Sequence, residues 1–79
     1  MTEQADTPQA RAQFGAALQR IRVAKGFATL AEIAAVLKID AGRYARYERG
    51  ELDPSLSLVW KMCEVLGVSP NTLLGFPIA

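Results

Sequence analysis

The side chains best equipped for chemistry in this 79-residue chain are its guanidinium groups. There is no histidine, and Cys63 is the single cysteine, so an internal disulfide cannot form and a zinc site lacks ligands. No nucleophile has a base beside it, no glycine-rich loop could cradle phosphates, and no carboxylate pair marks a cleft. The chain therefore reads as a non-enzyme without metal or cofactor. What remains is fixed positive charge. Between residues 11 and 50 lie Arg11, Arg20, Arg22, Lys25, Lys38, Arg43, Arg46 and Arg49, opposed only by Glu32, Asp40 and Glu48. That is a local balance of +5 in a chain whose formal net charge is +1. Glu3 and Asp6 make the start acidic, and Glu51, Asp53 and Glu64 outweigh Lys61 at the end. Such segregation suits an anionic partner; it also suits ordinary solvated helix faces.

These groups must be positioned by a small scaffold. A chain of this length forms one domain with a modest core. Hydrophobic residues make up 51% and the mean hydropathy is +0.12, more apolar material than a small core needs, and the excess suits a dimer interface. The opening residues lack the pattern of a signal peptide and no apolar run reaches membrane-spanning length, so the expected compartment is the cytoplasm, without membrane contact.

Helical periodicity runs through the chain. Residues 1–7 are polar and aperiodic and read as a disordered arm, with Thr7-Pro8 as cap and first turn. Phe14, Ala17, Leu18, Ile21 and Ala24 then mark helix one over about 8–25, closed by Gly26. Thr29-Leu30-Ala31-Glu32 is a capping box that opens helix two, about 30–37, with Leu30, Ile33, Ala34 and Leu37 inward. Asp40 caps helix three, about 41–48, which carries Tyr44 and Tyr47 on its inner face and stops at Gly50. Pro54 forbids helix through the next loop. Ser55 caps helix four, about 56–66, with Leu56, Val59, Met62, Cys63 and Leu66 expected inside and Trp60 packed with the core. Ser69-Pro70 opens a short fifth helix through Leu74, and residues 77–79 are a tail beyond a domain of 8–76. The expected class is all-α, a compact five-helix bundle.

Helices two and three, joined by a tight turn, have the plan of a helix-turn-helix, in which the first braces and the second enters the major groove. Small Ala34 permits close approach, Ile39 plugs the turn and Tyr44 anchors helix three, leaving Ala41, Gly42, Arg43, Ala45 and Arg46 outward. Several residues go beyond this pattern: Arg22 four before Gly26, Thr29…Glu32-Ile33-Ala34, Tyr44…Tyr47-Glu48-Arg49-Gly50, Pro54-Ser55-Leu56, and Val65-Leu66-Gly67-Val68-Ser69…Leu73-Leu74. In this order and spacing the stretch from Phe14 to Phe76 resembles the lambda-repressor-like (Cro/Xre-type) helix-turn-helix family.

The resemblance implies a sequence-specific DNA-binding regulator, usually a repressor, working as a homodimer on a near-palindromic operator of double-stranded DNA. It implies a structural ion pair between Arg22 and Glu48. Base reading falls to Ala41, Gly42 and Arg46, of which Arg46 is the leading reader because a guanidinium bonds guanine O6 and N7 together. Phosphate contact falls to Thr29, the Leu30 amide, Lys38 and Arg43, and dimer contact to Leu52, Pro54, Val68 and Phe76.

Four residues depart from the family pattern. Leu30 stands where a phosphate-clamping glutamine is usual, Lys38 where glycine is common, and Glu51 and Asp53 in a loop that is often basic. Leu30, Glu51 and Asp53 weaken the attraction to DNA, so weak or cooperative binding is expected. The same departures support an alternative: an interaction module or antitoxin-type protein on this scaffold, binding a toxin or other regulatory protein.

Overall fold

The computed structural model describes residues 8–75. The expected cap at Thr7, the arm, the tail and Phe76 fall outside the described residues. Five helices and no strand are found among the described residues: α1 (Pro8–Ala24), α2 (Leu30–Leu37), α3 (Ala41–Glu48), α4 (Leu56–Leu66) and α5 (Pro70–Leu74).

Local chemistry accounts for the boundaries. At α2 the Thr29 hydroxyl accepts from the Glu32 amide at 3.2 Å, while the Glu32 carboxylate accepts from the Thr29 amide at 3.0 Å. Asp40 caps α3 by accepting from the Arg43 amide, and Ser55 and Ser69 do the same for α4 and α5. The turn between α2 and α3 closes on Lys38, whose φ of 60° places it in the left-handed region. Its amide and that of Ile39 donate to the Ala35 and Ala34 carbonyls in the last turn of α2. A side chain there is strained where glycine would not be, so Lys38→Gly is expected to stabilise the fold by about 0.5–1 kcal/mol, net of the chain entropy glycine adds. A urea midpoint at or below that of the parent would contradict this.

The core draws on every helix. Phe14, Leu18 and Ile21 from α1 meet Ile33, Ala34 and Leu37 from α2, Tyr44 and Tyr47 from α3, Met62 and Leu66 from α4, and Leu73 from α5. Helix α1 packs on α3 and α5, α2 on α3 and α4, and α4 on α5. The Gln13 side chain donates to the Gly75 carbonyl at 2.8 Å and ties α1 to the end of α5.

The expected faces need correction at four residues. Leu56 is 82% exposed and Trp60 is 68% exposed, so neither packs with the core. The buried line of α4 runs through Leu58, Met62 and Leu66, and at 3.6 residues per turn Trp60 lies about 160° from Met62. Ala24, at the end of α1, is exposed. Ala45, expected to face outward, is buried, because it follows Tyr44 on the side of α3 that meets the core.

Candidate nucleic-acid interface

Helix α3 has a sharply divided surface. Tyr44, Ala45 and Tyr47 are buried, Ala41 and Glu48 are half-buried, and Gly42, Arg43, Arg46 and Arg49 are exposed. At about 100° per residue the buried set centres opposite Arg46. The exposed face is therefore an arginine face with Gly42 beside Arg46 and Arg43 toward its edge. Ala41 packs partly against the core, so less of its methyl is available than an outward position would offer.

The end of α3 is held by a buried ion pair. Arg22 Nε donates to Glu48 Oε2 at 2.6 Å, and a second bond joins Nη2 to Oε1 at 3.4 Å. Nη1 donates to the carbonyls of Phe27 and Ala28 at 2.7 and 3.1 Å. Both side chains are below 10% exposed, at 7% and 8%. Hydrogen bonding to Glu48 raises the pKa of Arg22 above its ordinary value, so the guanidinium stays charged. The Tyr44 hydroxyl is buried without a hydrogen bond, and burial together with nearby Glu48 drives its pKa upward, keeping the phenol neutral. One guanidinium thus joins α1, the loop before α2 and the last residue of α3.

The arginine face carries its own contacts. Arg43 Nε donates to the Tyr47 hydroxyl at 3.1 Å, and its guanidinium lies 5.9 Å from the Tyr47 ring centre. Arg46 and Arg49 both reach the Glu51 carboxylate, at 3.4 and 2.9 Å. Arg11 crosses from α1 to the same loop, donating to the Gly50 carbonyl at 3.3 Å and lying 3.8 Å from Asp53.

The other phosphate candidates lie on α2. Thr29 is exposed and engaged in the capping box, and that box leaves the Leu30 and Ala31 amides without a partner inside the helix. The Leu30 side chain packs against the core, so only its amide could meet an anion. Lys38 is exposed in the turn. No hydrogen bond or ion pair joins Thr29, Leu30 or Lys38 to the arginine face among the described residues.

Of the residues named for dimer contact, Leu52 and Val68 pack partly against the core and Pro54 is half-buried. The larger apolar surface is elsewhere. Leu56, Val59, Trp60, Cys63, Val68, Pro70 and Leu74 line an open groove of about 520 Å³ between α4 and α5. Burial pushes the Cys63 thiol up in pKa, away from the reactive thiolate.

One structural residue escaped the sequence reading. Gly15 sits mid-helix in α1 where the backbone of α3 comes closest, and a Cβ there would overlap the carbonyl oxygens of Tyr47 and Glu48. The available signal was a glycine inside a helical run, where propensity alone disfavours it.

Known proteins share both the sequence and this architecture. The family described as a helix-turn-helix domain matches residues 13–74. An SPbeta prophage-derived, uncharacterized HTH-type transcriptional regulator of Bacillus subtilis (strain 168), YonR, is 36% identical over 61 residues, 77% of this chain. The match spans 56% of that relative's length. The clp gene regulator ClgR from C. glutamicum superposes with a TM-score of 0.77 at 35% identity, covering 90% of each chain. The restriction-modification controller protein C.AhdI from Aeromonas hydrophila gives 0.72 at 29% identity, covering 78% of this chain and 92% of its own. The hypothetical transcription factor NHTF from Neisseria gives 0.75 at 28%, covering 94% and 85% respectively. These are regulators rather than enzymes. With five helices packed as theirs are and the arginine face of α3 turned outward, the chain belongs to the helix-turn-helix domain family of DNA-binding transcriptional regulators, in the lambda-repressor-like fold.

Proposed function

We propose that this chain is a sequence-specific repressor that inserts α3 into the major groove and binds as a homodimer to a near-palindromic operator in the cytoplasm. The observation that carries this reading is the position of Arg46, exposed at the centre of the α3 face opposite the core. A guanidinium there has the reach and geometry for guanine O6 and N7. Gly42 lets the backbone approach the groove edge, and the half-buried Ala41 offers what remains of its methyl to a thymine. Phosphates are met by the Leu30 amide at the start of α2, with Thr29, Lys38 and Arg43 alongside. The twofold axis would set half-sites about one helical turn, ~34–36 Å, apart. Leu52, Pro54, Val68 and Phe76 are the dimer candidates, and Val68 also lines the apolar groove between α4 and α5.

The test is a titration with duplex DNA at several salt concentrations, followed by selection of bound genomic fragments. Affinity should fall steeply with salt, in proportion to the phosphates neutralised. In the selected operator, Arg46→Ala should cost about 1–3 kcal/mol of discrimination at one base pair. Its stability should stay within about 0.5 kcal/mol of the parent, as for other exposed substitutions. A variant that unfolds, or that discriminates as well as the parent, removes Arg46 from the reading surface.

A second reading is favoured by the exposure of Leu56 and Trp60, whose apolar area a protein partner such as a toxin could cover. Absence of any DNA binding at low salt, even by a Glu51→Gln chain, would decide for it.

A further inference from the structure

We propose that Glu51 is an internal competitor for DNA, a carboxylate that occupies the guanidiniums of Arg46 and Arg49 in the free protein and must be exchanged for nucleic-acid oxygens on binding. This deepens the function proposed above and rests on it. Glu51 is held in position by its backbone, since its amide donates to the Arg46 carbonyl at 2.9 Å immediately after Gly50 turns the chain. From there its two oxygens divide between two arginines. Oε1 lies 3.4 Å from Arg46 Nε, and Oε2 accepts from Arg49 Nε at 2.9 Å, with a further Arg49 bond to Oε1 at 3.4 Å. The pairing with the arginines lowers the pKa of Glu51 below its ordinary value, so the carboxylate is charged at neutral pH.

The arrangement is exchangeable. Arg46, Arg49 and Glu51 side chains are 53%, 58% and 47% exposed, so water and salt weaken their mutual hold. Phosphate and base oxygens offer a guanidinium the same kind of acceptor with a denser field. A carboxylate in this place therefore lowers affinity for every duplex. Asp53, the other acid of this loop, is engaged by Arg11 of α1 instead and serves as the control.

The experiment titrates the full chain with mixed-sequence duplex DNA at low salt, comparing the parent, Glu51→Gln, Asp53→Asn, and Glu51→Gln in a chain that also carries Arg46→Ala and Arg49→Ala. Glu51→Gln should bind about three- to tenfold more tightly than the parent, and Asp53→Asn should change affinity less than about twofold. The gain from Glu51→Gln should vanish when both arginines are absent. A gain that persists there is simple repulsion between a carboxylate and phosphate, and overturns the proposal. If the parent binds and Glu51→Gln binds no better, the competitor role falls while the DNA reading stands. If neither binds, both fall. If only Glu51→Gln binds, both are supported. Where the doubly substituted chain binds too weakly to compare, the Nε–H resonances of Arg46 and Arg49 decide. Both should move when Glu51→Gln is introduced in the free protein, and unchanged resonances overturn the pairing.

Discussion

Replacing Glu48 with alanine is expected to cost about 3–5 kcal/mol, because it strands the Arg22 guanidinium in a site it cannot leave. The Arg22 side chain is only 7% exposed, and Glu48 accepts from both Nε and Nη2. The carbonyls of Phe27 and Ala28 would remain as partners, but neither carries the compensating charge. A domain of this size has a total stability of the same order as that loss. Its melting temperature should therefore fall by about 15 °C or more. Thermal denaturation followed by helical circular dichroism measures this directly. Replacing both partners with apolar residues, Arg22→Met with Glu48→Leu, should recover much of the deficit, since a buried pair is costly mainly when broken on one side. A Glu48→Ala protein that melts within a few degrees of the parent would mean that the pair does not hold α3 to α1.

The second large effect is expected at Gly15. An alanine Cβ would stand 2.7 Å from the Tyr47 carbonyl oxygen and nearer still to that of Glu48. Both obstacles are backbone, so no side chain can swing aside, and α1 must move away from α3. Such overpacking costs about 1–3 kcal/mol even after the better helix propensity of alanine is counted. Displacement of α1 also pulls Arg22 from Glu48, which places the expected loss at the upper end of that range. The control is Ala16→Gly, one residue on and exposed, which should cost only about 1 kcal/mol through propensity. Equal chemical-denaturation midpoints for the parent and Gly15→Ala would show that the two helices do not approach as closely as described.

The helix boundaries and the motif were legible because they depend on neighbours in the chain. Caps at Thr29, Asp40, Ser55 and Ser69 act over three residues, and each begins a helix where the sequence reading expected one. The face of α4 was a different matter. Leu56, Leu58, Val59, Trp60, Met62, Cys63, Val65 and Leu66 surround it almost completely, so periodicity there admits more than one inner side. Only its packing on α2 and α5 leaves Leu56 and Trp60 in solvent.

Glu51 separates the two kinds of information most clearly. In the sequence it is an acid in a loop expected to be basic, a simple deduction from attraction. In the structure it is the shared partner of Arg46 and Arg49.

The amino-acid order by itself determined five helices, the caps of α2 to α5, the turn between α2 and α3, and the family. The packed chain alone decided which side of α4 meets solvent, that Gly15 touches α3, and that Glu51 engages Arg46 and Arg49. The reason is range: capping and periodicity act within about one turn. The contact of Arg22 with Glu48 spans 26 positions, and its geometry exists only once the helices have closed on one another.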